Sequence, residues 1–409
     1  MLDLPDRPGS YSHSGPLRSW LRWRRSWCGW ASCLALWMVF DGMITPSEAI
    51  APPAVSSVLT RPTLLASQWD VTLAKEQPSQ SPETETSAES LTRAVLLDRL
   101  AASNVVYLGE YHDRVYDHEA QLEIIRELQR RNPKITIAME MFQRPFQEAI
   151  DAYLAGEIDE AELVDLTEYE TRWGYPWELY APILRWARER NIPVIAANAP
   201  AELTRKVATE GLAGLRGEDF RDIPPIAEIR LDDADYRNAL YQFFQMHMGF
   251  HSASEDDTHT ASETTSNPTT NPSDNPSTST ATNTATNQDG FERFFAAQVL
   301  WDETMAEAIA TAYHDDPDRQ IIVIAGRGHI AYNFGIPSRV QRRVMGEPDD
   351  ADMIEVNPLE LDPSQHVPAD PAIFVQTSVF FAQQDADRES IWPIPEGLER
   401  QLVDYFWSF

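Results

Sequence analysis

Two short motifs of the form Gly-x-x-His, Gly109-Glu110-Tyr111-His112 and Gly326-Arg327-Gly328-His329, each follow directly on an apolar run. An imidazole in such a place can move a proton near neutral pH or donate a nitrogen to a metal ion. Glu140 follows Ile137-Ala138-Met139. A carboxylate inside an apolar run costs on the order of several kcal/mol unless it is paired or bound to a cation. Arg327, an imidazole or a metal is therefore its expected partner. Glu110, His112, Glu140 and His329 thus offer two carboxylates and two imidazoles. Each member also has an ordinary role: glycine makes tight turns, Asp113 can cap a helix, and a histidine can simply be hydrogen-bonded.

A second feature is the aromatic density of residues 169–180, which hold Tyr169, Trp173, Tyr175, Trp177 and Tyr180, with Trp186 a little further on. Such a segment ordinarily makes core or a helix-packing surface. A flat cofactor such as haem needs the same kind of wall, and tyrosine is one of the side chains that can hold haem iron. Tyr175 and Tyr180 are the ligand candidates, flanked by Trp173 and Trp177, with His247 and His251 as alternatives; spacing alone does not choose among them. Arg172, Arg185 and Arg327 are candidates for meeting the haem propionates.

These residues need elements to hold them. Apolar runs occur at residues 104–108, 135–139, 192–197, 320–325 and 353–356, and a late run, 373–377, reads as a further strand of antiparallel direction. Each is apolar at consecutive positions, as strands covered on both faces are. Between them lie helical stripes such as Leu122, Ile125 and Leu128, or Trp301, Met305, Ala308 and Ile309. Strands alternating with helices imply an α/β domain with a mostly parallel sheet and helices on both faces. In such sheets ligands bind beyond the carboxyl ends of the strands. Glu110, His112, Glu140, Asn198, Arg327 and His329 all fall there.

The domain spans residues 93–409, with 359–409 as a C-terminal extension. Residues 1–50 carry Arg18, Arg22, Arg24 and Arg25 ahead of an apolar run from Trp27 to Phe40. That is the pattern of a secretory signal or a retained N-terminal anchor, and it predicts a protein of the periplasm or cell envelope whose membrane contact is through this segment. Residues 51–92 read as a low-complexity linker. Residues 252–288 contain no Leu, Ile, Val, Met, Phe, Tyr, Trp, Lys or Arg, and read as a disordered insertion within the one domain. Both cysteines, Cys28 and Cys33, lie in the first segment, so the domain itself has no disulfide or thiolate chemistry.

With 64 acidic and 33 basic residues the net charge is −31, which argues against nucleic acid as a partner. No Walker loop, dinucleotide fingerprint, Gly-x-Ser-x-Gly elbow or His-Glu-x-x-His motif occurs.

The ordered set of motifs resembles the ChaN family of haem-binding uptake proteins in the Tiki superfamily. It runs through Tyr107-Leu108-Gly109-Glu110-Tyr111-His112-Asp113, Ala138-Met139-Glu140-Met141-Phe142, Trp173 to Pro182, and Pro193 to Pro200. It continues through Ala297 to Ala306, Ala325 to Ile330 and Gly335 to Arg339. The resemblance implies an α/β fold, export, a part in haem or iron uptake, and homodimers that enclose haem with tyrosine ligation. Relatives in the superfamily that are metal-dependent hydrolases share the two Gly-x-x-His motifs, here ending at His112 and His329. That resemblance implies the alternative reading, in which Glu110, His112, Glu140 and His329 hold zinc, manganese or iron in an N/O site, the metal lowers the pKa of a bound water, and a spare carboxylate acts as general base.

Overall fold

A computed structural model describes residues 71–73, 90–91, 93–255, 276–346, 354–355, 373–382 and 403–408. The expected signal segment, most of the linker and residues 256–275 of the insertion lie outside them. The helices Ala234–Glu255 and Pro276–Asp315 take in the two ends of that insertion. Among the described residues, no helix is long and apolar enough to cross a membrane.

The strands are β1 (Val71–Leu73), β2 (Ser90–Leu91), β3 (Val105–Glu110), β4 (Ile135–Gln143), β5 (Val194–Asn198), β6 (Gln320–Gly326), β7 (Ile354–Glu355), β8 (Ile373–Phe374), β9 (Gln376–Ala382) and β10 (Tyr405–Ser408). Eight of them form one sheet in the order β2-β1-β10-β9-β3-β6-β4-β5. From β10 to β5 every pairing is parallel, and only β1 runs against the rest, antiparallel to β10 on one side and to β2 on the other. Strands β3, β4 and β6 are buried along their whole length, as their unbroken apolar runs require. Between them lie helices such as Arg93–Ala102, Val115–Arg131, Trp177–Arg190 and Ile336–Met345. The fold is α/β with a mostly parallel sheet.

Two expectations are corrected. The late run is not antiparallel to the sheet: β9 pairs parallel with β3, from Val105 opposite Gln376 to Gly109 opposite Phe380. The run at 353–356 does not join the sheet but makes a separate parallel pair, β7 with β8. Strand direction depends on the path of the connection, which a strand's own residues do not encode.

The chain leaves β3 for β4 and β5, returns to β6 between β3 and β4, then passes to β9 on the far side of β3. Connections therefore diverge at β3, and the crevice beyond its carboxyl end is where such a sheet leaves room for polar chemistry.

Candidate functional site

Register brings the strand exits together. Glu110, the last residue of β3, lies opposite Gly326, the last residue of β6. On β4 the register against β5 shifts between Met139 and Gln143, and Glu140 lies in this irregular stretch. Its carboxylate accepts the Gly326 backbone N–H at 2.7 Å. Such an irregularity re-aims a side chain without ending the strand.

The polar groups form two linked carboxylate–imidazole pairs. In the first, Glu110 Oε1 lies 2.8 Å from His112 Nδ1 and also accepts the Tyr180 hydroxyl. Gln121 donates to the other Glu110 oxygen, and His118 Nδ1 lies 3.5 Å from it. In the second, His329 Nδ1 lies 2.7 Å from Asp302 Oδ1, and its Nε2 lies 3.3 Å from Glu140 Oε1. The Tyr236 hydroxyl donates to the other Asp302 oxygen at 2.6 Å. The pairs meet at Gly326, where a Cβ would lie 2.8 Å from His112 Nε2 and 3.6 Å from Glu140 Oε2. The glycine is there to make room.

All of these carboxylates and imidazoles are buried, with Glu110 at 1% exposure and Asp302 at 0%. Burial alone would raise the Glu140 pKa, but His329, His112 and the Gly326 N–H together outweigh it and hold the carboxyl at about 2. Burial would likewise lower His329, yet Glu140 and Asp302 raise it to about 10. Glu110 is held below the usual carboxylate range despite its burial, by the two histidines and by its hydrogen bonds. Asp117 is the exception. Burial raises it to about 7, against the pull of Arg327 and the Tyr111 N–H that it accepts at 2.8 Å. The cluster is organised to hold protons at fixed atoms.

Several partners come from helices and were not among the expected residues. Asp117, His118 and Gln121 line one face of Val115–Arg131, and Gln298 and Asp302 lie on Pro276–Asp315. Their signal in the sequence is positional. Asp117-His118 and Gln121 continue, toward the helix start, the buried stripe of Ile124, Ile125 and Leu128. Polar residues in a buried stripe have buried partners.

The expected metal set of Glu110, His112, Glu140 and His329 does not form. Among the described residues, no three His, Asp or Glu side chains are arranged to hold a metal ion. His112 turns its Nδ1 to Glu110, and His329 turns its Nδ1 to Asp302.

The aromatic segment packs over the first pair. Trp173 meets the His112 ring edge-on at 4.8 Å, and Tyr175 lies 5.1 Å from the same ring. Tyr180 is fully buried and donates to Glu110; burial, and then that carboxylate, push its hydroxyl well above the usual phenol range. With no exposure and its hydroxyl bonded to Glu110, Tyr180 is corrected from candidate iron ligand to a positioning side chain for Glu110. Tyr175 is only half-buried. Trp177, also half-buried, donates its indole N–H to Glu160 at 2.8 Å.

Arg327 is likewise corrected as a propionate partner. It is 3% exposed, stacks on Tyr111 at 4.1 Å, and donates to the Phe381 carbonyl, so it serves the buried cluster. Arg185 is paired with Glu160 and Glu178. Asn198 braces the turn after β5, donating to the Glu140 carbonyl at 2.8 Å. His247 and His251 lie on the helix Ala234–Glu255, with side chains outside the described residues.

Fold and site together define a parallel α/β protein with paired buried carboxylates and imidazoles beyond its central strands, under an aromatic cover. Residues 96–340 match the family described as haem-binding uptake, Tiki superfamily, ChaN, and the chain belongs to that family. It is 24% identical over 260 residues to Protein RETICULATA-RELATED 5, chloroplastic, of Arabidopsis thaliana, a match covering 60% of this chain and 30% of that one. The chain thus spans under a third of that relative's length. Among solved structures, a ChaN of Campylobacter jejuni with cofacially bound haem is 14% identical, covering 83% of this chain and 96% of that one at a TM-score of 0.47. An erythromycin esterase, EreC, in its open conformation is 12% identical, covering 70% and 72% at a TM-score of 0.34.

Proposed function

We propose that this chain is a haem carrier of the cell envelope that holds haem on the outer side of its aromatic segment, with the Tyr175 phenolate on iron. The observation that carries the reading is the family match across residues 96–340, joined to the placement of Tyr175 at the rim of the wall. Trp173, Tyr175, Trp177, Tyr169, Tyr180 and His112 pack ring on ring at 4.8 to 6.4 Å. The wall is closed, so a flat group lies on it and not within it. The buried imidazoles of His112, His118 and His329 lie beneath the wall, which leaves the half-buried Tyr175 phenol at its rim as the candidate iron donor. Export rests on the Arg-flanked apolar run before residue 41. A homodimer with haem between its subunits is supported by exposed Val115, Tyr116 and Leu166, at 53%, 45% and 52%, beside the β3 exit and the aromatic segment in sequence.

The test is a haemin titration of the purified full chain, followed by absorbance and by sedimentation. A saturable Soret change near one haem per chain, altered by Tyr175→Phe and left in place by Tyr180→Phe, is expected, with dimers forming as haem binds. No saturable change, or a Tyr175→Phe spectrum identical to that of the parent, overturns the reading.

A further inference from the structure

The segment over the first carboxylate–imidazole pair has two anchored ends, two unusual hinge residues and one fastening. On one side Thr167 is buried, its hydroxyl bonded to the Leu163 carbonyl at 2.8 Å. On the other, Trp177 starts the helix Trp177–Arg190 and is tied to Glu160. Between them, Tyr169 and Trp173 face inward at 1% and 3% exposure, while Glu168, Glu170, Thr171, Gly174 and Pro176 are exposed.

Two residues of the segment sit in the left-handed region, Glu168 at φ 51° and Gly174 at φ 85°. For glycine that conformation is ordinary; for glutamate it is strained, and such strain persists only where the surroundings hold it. The inward face is also imperfect. The Tyr169 hydroxyl is buried and has no hydrogen-bond partner in the closed arrangement, so opening would hydrate it.

What holds the segment down is Arg172. Its guanidinium bonds Gln143 Oε1 at the end of β4 at 2.9 Å and Glu202 on the helix Ala201–Glu210 at 2.9 Å. It also stacks on Phe146 at 5.0 Å, and its Nε bonds Glu168 at 2.9 Å. The Arg172 side chain is 21% exposed and that of Glu202 55%, so water competes for the pair.

We propose that residues 168–176 are a latched lid over His112 and Glu110, hinged at Glu168 and Gly174 and fastened by Arg172 to Glu202 and Gln143. Tyr175 directly follows the Gly174 hinge and packs on Trp173 at 5.8 Å, so lid opening loosens the wall on which a ligand of that phenol lies. This last step rests on the haem reading; the lid itself does not.

Hydrogen exchange of the full chain, followed by mass spectrometry, is the test. Amides of residues 168–176, which include Arg172 N–H to Glu168 and Trp173 N–H to Tyr169, exchange through local opening about tenfold or more faster than those of Trp177–Arg190. Glu202→Gln removes the charge of the latch and speeds only the lid amides, several-fold, while Arg172→Lys falls between Glu202→Gln and the parent. Lid amides that exchange together with Trp177–Arg190, in the parent and in Glu202→Gln alike, overturn the lid. Haemin association, measured by stopped flow, is faster in Glu202→Gln; an unchanged rate overturns the coupling to Tyr175. A parent that takes up no haem at all counts against the haem reading, and the exchange data still decide the lid.

Discussion

Replacing His329 by glutamine tests the electrostatic description of the second pair. The folded-state pKa of His329 is raised from 6.5 to about 10. A histidine raised in this way contributes stability that is fully present below about pH 6.5 and is lost as pH rises toward 10. Between those values the folded chain holds one proton that the unfolded chain has released. Stability therefore falls by about 1.4 kcal/mol per pH unit, or on the order of 3 kcal/mol from pH 7 to 9.5. The Glu140 carboxyl, lowered to about 2, works from the other side: its contribution is present above about pH 4.5 and is lost as pH falls through about 2. The pair is worth most between the two.

His329→Gln leaves Glu140 and Asp302 buried without their cation, which costs about 3–5 kcal/mol near neutral pH. The deficit shrinks toward pH 5, where the freed carboxyls take up protons, and again toward pH 9.5, where the parent has lost its own advantage. Urea denaturation followed by tryptophan fluorescence at pH 5, 7 and 9.5 measures all three. A deficit constant across that range, or a parent with no alkaline slope that the variant lacks, refutes the charge assignment.

Two further substitutions probe the packing. Gly326→Ala puts a methyl against the His112 ring, which Glu110 and Trp173 hold from two sides, and should cost about 1–3 kcal/mol. Gly335→Ala runs into the His329 backbone carbonyl oxygen, which cannot swing aside, so its urea midpoint should fall further than that of Gly326→Ala. Gln147→Ala tests how the sheet ends: the Gln147 amide donates to the Val194 carbonyl at 2.8 Å and accepts the Ala196 N–H at 2.7 Å, standing in for a further strand beside β5. Its loss should cost about 1 kcal/mol and give association that grows with protein concentration in light scattering.

The central strands are legible because they are apolar at consecutive positions, and four of the expected runs coincide with β3, β4, β5 and β6 to within a few residues at each end. The outer part of the sheet is not. Strand β10 is the four residues Tyr-Phe-Trp-Ser, and β1 and β2 are three and two residues long. Segments so short have no period to read, and they are strands because neighbours pair with them. The same holds for direction: β9 runs parallel to β3 because of where the chain crosses the sheet, not because of its own side chains.

The site divides along a similar line. Glu110, Glu140, Arg327 and His329 could be placed together because strand ends in a parallel sheet face one crevice. Which atoms they would face was not readable, since the partners come from helices far off in sequence; Asp302 and Tyr236 are the clearest cases. Asp302 takes His329 Nδ1 and Glu110 takes that of His112, so the strand-exit groups are organised as two carboxylate–imidazole pairs. The two tyrosines differ in this respect. Tyr180 is in phase with Ile183, Leu184 and Ala187, the buried stripe of its helix, and a phenol in that stripe faces inward. Tyr175 lies between the helices Tyr169–Arg172 and Trp177–Arg190, just before Pro176, and belongs to no stripe. Helical phase therefore marks Tyr180 as an inward-facing side chain, which residue type and spacing alone do not.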